Sequence, residues 1–502
     1  ARRLQAPVPH SHHHSTHQGI ELLMQAKTTP KQRFKKRRGV ALLMVLATLA
    51  ILTTMTTQFV HETQVRSQIA ANARDSVRAY FLARSGTELT RLLIGFMKQK
   101  PCPMSMGLGT LAKGSSGGQA TCEDELRGLQ SALNLPPQPF WRMLPLDSGL
   151  FGAIGDGSMG QMLGLPTPKL TTAAIDPQSG ALTNEEEGDG PGGEGQALLA
   201  NLGGTFSVFI DDEDRKIPLK QLWKGTPAQN RAAALRLAAL ISSPRYDGLF
   251  QATNARGEDV DRRELISTIL DWMDPDTSIS EIDFISGQRI TGAQSEDSRY
   301  DKDATPYRSK NASFDSIAEL KQLKGFTDEV YAAFADQMTI YGENRINVES
   351  LLGSLLGVGS LNPDQGDSPS APVQFLTAVS VCLAPEQILQ VGERLNLWYL
   401  AFNRCVAARL TDLPEIQALC PLNETPGLTP FDNYFVNVMA QLTAAEGLDF
   451  DSKACEESVS NTSRYFKITS QATVGRAART LTLVLRYAPS DAAEERYYWR
   501  EE

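Results

Sequence analysis

The sequence predicts an α+β protein in which one long N-terminal helix precedes an exported body of strands and helices. Three observations predict it. Residues 39–60, GVALLMVLATLAILTTMTTQFV, carry no charge and run directly into apolar residues at helical spacing. Strand-like alternation occurs at 205–211 (TFSVFID), 464–470 and 479–486. Between the first strand and the last two, 231–242 and 262–273 read as helices, the second leading into DWMDPD.

The uncharged run is long enough to cross a bilayer, since 22 residues span about 33 Å as a helix. It follows KQRFKKRRG, which holds Lys31, Arg33, Lys35, Lys36, Arg37 and Arg38. Basic residues stay on the cytoplasmic side, so the N-terminus is expected inside and the C-terminal part outside. A secretory signal would have a shorter apolar region ending in a small-residue cleavage site. Here Val65, Ile69, Ala73, Val77, Phe81 and Leu89 recur at multiples of four, followed by Leu92, Leu93 and Phe96. No proline interrupts 39–98, so one helix of about 90 Å is expected, with Gly86 and Gly95 as its weak points.

Charge divides the same way. The chain has 49 Lys+Arg and 58 Asp+Glu. Residues 1–39 hold nine of the basic and one of the acidic residues, leaving 40 against 57, net −17, for the remainder. An acidic body is a poor general nucleic-acid binder. Five of six histidines, His10, His12, His13, His14 and His17, lie in a leader without periodicity, which reads as unstructured rather than metal-binding. A chain beginning at Met24 would have an ordinary basic leader. Only His61 follows the leader, and no GxSxG or HExxH is present, so no enzyme is expected.

All six cysteines, Cys102, Cys122, Cys382, Cys405, Cys420 and Cys455, lie beyond the apolar run, and an even number in an oxidising compartment suggests disulfides. Cys102 and Cys122 stand apart and are expected to pair. The other four allow three pairings, with Cys405–Cys420 and Cys382–Cys455 preferred. Residues 101–121 and 145–204 are rich in Gly, Pro and Ser and read as long loops. Within them Gly155, Gly157 and Gly160 match GxGxxG, but no strand precedes them and Pro166 stops a following helix, so a dinucleotide site is not expected. Residues 315–342 read as two short helices flanking Leu323-Lys-Gly-Phe326, similar to a helix-hairpin-helix, yet the acidic, exported surroundings speak against DNA.

The segment KKRRGVALLMVLATLAILTTMTTQFVHETQVRSQIAANARDSVRAYFLARSGTE resembles the start of the minor pseudopilin K family of type II secretion systems (general secretion pathway protein K), within the type IV pilin-like superfamily. DDEDRKIPLKQLW (211–223), Arg345-Ile-Asn-Val-Glu349 and SRYFKI resemble strand elements of that family, with Arg215 and Glu349 departing from its pattern. The resemblance covers about 40–98, 205–350 and 463–487, leaving 100–200 and 355–460 unexplained.

That resemblance implies a prepilin peptidase cut between Gly39 and Val40 and methylation of Val40. Met44 stands where most pilins carry a Glu, an absence characteristic of the K family. It implies an antiparallel pilin-like sheet against the long helix, interrupted by an inserted all-helical domain. The expected divisions are a leader (1–39), the helix (40–98), a first pilin-like part (99–218), the insertion (219–345), the remaining pilin-like part with extra helices and a closing hairpin (346–490), and a tail (491–502). Two acidic stretches, DWMDPD and SEDSRYDKDATPYRSKN, could offer the clustered oxygens calcium needs. The family's calcium loop carries over onto Glu296, Asp297, Tyr300, Pro306, Tyr307, Arg308 and Asn311, with Arg299 departing from it. The expected ligands are Glu296, Asp297 and Asp303, with Asp274 and Asp276 behind them, and the calcium would be structural.

The function implied is a minor pseudopilin at the tip of the secretion pseudopilus, anchored in the inner membrane by a single span with a periplasmic body. It would act in pseudopilus initiation and protein secretion across the outer membrane. Its partners would be pseudopilins of the I and J types, the major pseudopilin and prepilin peptidase, with no nucleic acid. The alternatives are a type IV pilus minor pilin or adhesin, a membrane-anchored exported enzyme, and an uncleaved periplasmic scaffold.

Overall fold

The computed structural model describes residues 38–99, 121–132, 139–143, 146–149, 173–175, 182–184, 203–251, 261–301, 305–351, 371–409, 420, 430–487 and 494–502. The histidine-rich leader, Cys102, Asp303 and the GxGxxG segment lie outside these residues. In chain order the main elements are α1 (Arg38–Lys98), α2 (Cys122–Ala132), β1 (Gly204–Asp212), α3 (Pro227–Ser242), α4 (Arg262–Met273), β2 (Ser278–Ile282), β3 (Arg289–Ser295) and α5 (Asp328–Phe334). Then follow α6 (Ala371–Val379), α7 (Pro385–Glu393), α8 (Leu395–Arg409), α9 (Phe431–Ala445), α10 (Ser452–Ser458), β4 (Tyr465–Val474), β5 (Ala477–Tyr487) and β6 (Glu494–Glu501).

The chain divides into two units, 1–69 and 70–502. The described part of the first is helical and apolar, and the helix is long and apolar enough to cross a membrane. Its hydroxyls are satisfied within the helix. Thr48 donates to the Val45 carbonyl (2.9 Å), Thr53 to Ala50 (2.9 Å), Thr56 to Leu52 (2.7 Å) and Thr57 to Thr54 (2.9 Å). That back-bonding lets a threonine-rich segment enter lipid without an orphan donor.

In the second unit the face of α1 that meets the protein agrees only in part with the apolar stripe, of which Leu89, Leu93 and Phe96 pack against the core. Val77, Phe81 and Leu92 are exposed, whereas Ala79, Leu82, Ala83, Thr87, Thr90, Ile94 and Met97 are buried. Residues 79, 83, 87 and 90 are small, so the sheet backbone can come close. Gly86 marks the nearest approach. A Cβ there would lie 2.6 Å from the Phe206 ring and 2.7 Å from Ser470 Oγ. The glycine expected to be a weak point is a packing requirement.

The sheet has the order β6-β5-β4-β1 and is antiparallel throughout. Ile468 lies opposite Ile210 on one side and Leu483 on the other. Alternate residues Phe206, Val208 and Ile210, Phe466 and Ile468, and Leu481, Leu483 and Leu485 form one core with α1, Phe140 and Trp141. The β1 edge is covered, because Val208 N–H donates to the Leu146 carbonyl (2.7 Å). The segment expected to be a tail supplies β6, the fourth strand. Its Glu- and Arg-rich sequence hides the period-two pattern because the strand is an exposed edge, while Tyr497, Tyr498 and Trp499 favour extended backbone.

A second core is built around α3, which begins with Thr226 and Gln229 in a capping box and Pro227 in its first turn. It draws on residues from 217–351 and equally from α6, α7, α8, α9 and α10. The helices of 371–458 therefore complete the core of the region expected to be a self-contained insertion, which also carries the β2–β3 hairpin. Arg236, fully buried, joins the two stretches by donating to the Asn344 carbonyl (3.0 Å), Asn344 Oδ1 (2.8 Å) and the Ser458 carbonyl (2.9 Å). Cys382 is bonded to Cys455 and Cys405 to Cys420, and Cys122 is also disulfide-bonded. The segment 345–349, expected as a returning strand of the sheet, instead pairs Ile346 and Asn347 in parallel with Val459 and Ser460 and then turns helical. Its side chains Asn347 and Glu349 meet Asp212 and Arg127 at the junction between the cores.

Gly86→Val should therefore lower the stability of the detergent-solubilised chain by about 2–3 kcal/mol, read from urea unfolding, because the added side chain would overlap the buried Phe206 ring and Ser470. An unchanged midpoint would contradict the close approach.

Candidate metal centre

The site begins at the end of α4. Asp261 caps its first turn, accepting from Arg263 N–H (2.9 Å), and Pro275 ends it after Asp274. Asp271 and Asp274, three apart, fall on one side of the final turn. The chain then enters β2, where Ser280 N–H donates to Asp271 Oδ1 (2.7 Å). The hairpin returns along β3 and delivers Glu296 at the start of a short 3₁₀ turn, with its N–H on the Thr277 carbonyl (3.2 Å). One carboxylate oxygen from each of Asp271, Asp274 and Glu296 lies within 4.8 Å of the others. Two oxygens on one calcium ion, each about 2.4 Å from it, can be no more than about 4.8 Å apart, so the spacing fits.

All three side chains are buried, with Asp274 and Glu296 at 0% exposure. Among the described residues neither carboxylate oxygen of Asp274 or of Glu296 has a hydrogen-bond partner in bonding geometry, although the Ser280 side chain lies near Asp274 and the Asn311 side chain near Glu296, and Asn311 Oδ1 is likewise buried without a partner. Asn311 adopts φ 50° and anchors its amide nitrogen on the Asp276 carbonyl (2.6 Å). Buried, unpaired carboxylate oxygens are costly unless neutralised. Burial and the neighbouring Asp274 and Asp271 charges push the Glu296 carboxyl up to about 8. Burial pushes Asp271 up to about 7 against the pull of Arg299. Burial also pushes Asp274 to about 6, with the nearby Asp276 charge adding to it. These four residues could hold a hard divalent cation, because every donor is oxygen and none is nitrogen or sulfur.

Asp271 is the partly satisfied member. Arg299 reaches its Oδ2 (2.7 Å) while also donating to Thr268 Oγ1 (3.0 Å) and Ser267 Oγ (2.8 Å). Tyr300 backs the turn, its ring 4.7 Å from Tyr307 and 6.1 Å from Trp272.

The expected ligands divide. Glu296 is in the cluster and Asp274 joins it. Asp297 is used elsewhere, accepting from Ser309 N–H (3.2 Å), and Asp276 accepts from Ser278 N–H (2.8 Å). Asp303 lies outside the described residues. Asp271 was missed as a ligand, although its spacing from Asp274 at the end of a helix was the available signal.

With divalent ions removed by a chelator, the melting temperature should fall as pH rises from about 5 to about 8. Carboxyls raised in the native state bind more protons there than they do unfolded, so stability is lost as pH climbs through the native values. Glu296→Gln should flatten that slope; an unchanged slope would sink this account.

Residues 217–343 match the family model for type II secretion system protein K, and the matched stretch contains Asp271, Asp274, Glu296 and Asn311. No curated protein matches the chain. Among solved structures, a chain of the GspK–GspI–GspJ complex from the enterotoxigenic Escherichia coli type 2 secretion system is similar at 16% identity. The alignment has a TM-score of 0.31 and covers 60% of this chain and 80% of that one.

Proposed function

From the type II secretion system protein K domain that this chain carries, we propose that it is a minor pseudopilin of such a system, anchored by α1 and acting without catalysis. The observation that carries this is the placement of that domain behind one long apolar helix with a basic leader. The basic cluster at 31–38 favours a cytoplasmic N-terminus with the body in the periplasm. A prepilin peptidase would cut between Gly39 and Val40, at the start of α1, and Val40 would be methylated.

Once freed, the apolar half of α1 would leave the bilayer and pack among partner helices, which we take to be pseudopilins of the I and J types and the major pseudopilin. Met44 places no carboxylate in that apolar segment. A buried carboxylate is tolerated in lipid only with a partner, so a subunit lacking it suits a fibre end, where nothing follows above. The role would be to initiate the pseudopilus during protein secretion across the outer membrane.

Asp271, Asp274, Glu296 and Asn311 would hold a calcium ion whose task is structural. When bound, it would neutralise the carboxylates and tie the end of α4 to the β2–β3 hairpin and the loop around Asn311. Binding to the folded form alone raises stability by mass action.

Mass spectrometry of the chain from membranes should show an N-terminus at methylated Val40; an intact leader would refute the pilin reading. Met44→Glu should impair pseudopilus assembly and reduce secreted protein in a complementation assay. Normal assembly and secretion would remove the role assigned to the missing carboxylate.

A further inference from the structure

Two guanidinium groups attend the acidic site, and they are held in different ways. Arg299 is fixed, only 8% exposed and hydrogen-bonded to two hydroxyls besides its ion pair with Asp271. Arg289 is 31% exposed, and its Nη1 stands 3.6 Å from Asp274 Oδ2. That separation is too long for a hydrogen bond, and among the described residues neither Asp274 oxygen has a partner in bonding geometry. What positions Arg289 is the face of Trp223, 3.6 Å from the guanidinium carbon.

The backbone beneath Arg289 is anchored by neighbouring elements. Arg289 lies opposite Ile282 at the start of β3. The turn before it is pinned by Arg231, which donates to the Phe284 carbonyl (3.0 Å), and by Gly287, where a Cβ would meet the Pro227 carbonyl at 2.0 Å. The side chain has two contacts, an aromatic face and a non-directional ion pair. When ionised, Asp271, Asp274, Glu296 and the neighbouring Asp276 bring four negative charges and Arg289 and Arg299 two positive ones, so a cation at the site and Arg289 would draw on the same Asp274 oxygens.

We infer that Arg289 is a resident competitor for Asp274: it pairs with that carboxylate when no cation is bound and yields it, staying on Trp223, when one enters. Arg289 thus sets the divalent concentration at which the site fills, and the protein keeps a partial counter-charge below it. This rests on the cation reading given above.

The test uses the full chain in detergent micelles, freed of divalent ions by a chelator, and titrated with CaCl2 at constant ionic strength by calorimetry. Arg289→Gln should bind calcium about two- to fivefold more tightly than the parent, the size expected for removing one partly exposed like charge. Arg289→Lys, which keeps the charge but loses the flat stacking surface, should fall between the two and shows that a change follows charge rather than misfolding. Equal or weaker calcium binding by Arg289→Gln overturns the role of Arg289 while the cation site stands. No calcium binding by either the parent or Arg289→Gln overturns the cation reading, and this inference with it.

Discussion

The carboxylate of Asp212, at the end of β1, is the interaction on which the joining of sheet and helical body depends. Its Oδ2 accepts from Asn347 Nδ2 (3.1 Å) and from the hydroxyls of Ser350 and Ser463. Two residues on, Asp214 accepts from the backbone N–H groups of Arg464 (2.6 Å) and Tyr465 (3.1 Å), where β4 begins. Burial pushes Asp214 up to about 7, with the neighbouring Asp212 charge adding to it. Asp212 is spent on side chains of the helical body and Asp214 on backbone, which separates them from Asp274 and Glu296, whose oxygens have no hydrogen-bond partner within bonding distance among the described residues. The same junction recruits Glu349, which pairs with Arg127 (3.0 Å), and Arg127 reaches Glu123 (2.7 Å), itself paired with Lys98 at the end of α1. Buried charges of this kind fix register more surely than they add stability.

Two environments meet in α1, and its sequence serves each differently. Up to about residue 60 the helix is apolar on every side and its threonines bond inward. Beyond residue 70 its small residues meet the sheet while Val77, Phe81 and Leu92 remain outward. Those outward residues are the surface that a partner helix could cover in the assembled fibre we propose. Reading only large apolar residues therefore finds Leu89, Leu93 and Phe96, which pack on the core, together with the outward Val77, Phe81 and Leu92, and misses the inward Ala79, Ala83, Gly86, Thr87 and Thr90, because close packing selects small residues.

The acidic centre was legible as composition and partly as residues. DWMDPD and SEDSRYDKD announce carboxylates, but one in each segment is taken up by a backbone N–H, Asp276 by Ser278 and Asp297 by Ser309. Which oxygens remain free depends on turn geometry set by the β2–β3 hairpin, and no spacing rule carries that. The hairpin itself was not foreseen, since β3 is exposed along its whole length and shows no alternation of burial.

By itself the sequence determined the long helix, its apolar first half, the three central strands and the main helices on either side of the acidic loop. These rest on local periodicity, charge and capping, which act over a few residues. Only the tertiary structure decided that 371–458 shares one core with 217–351, that the last residues form an edge strand, and that Asp271, Asp274 and Glu296 converge. Those outcomes depend on contacts between residues far apart in the chain, as in Arg236 bridging Asn344 and Ser458, and no local pattern encodes such pairings.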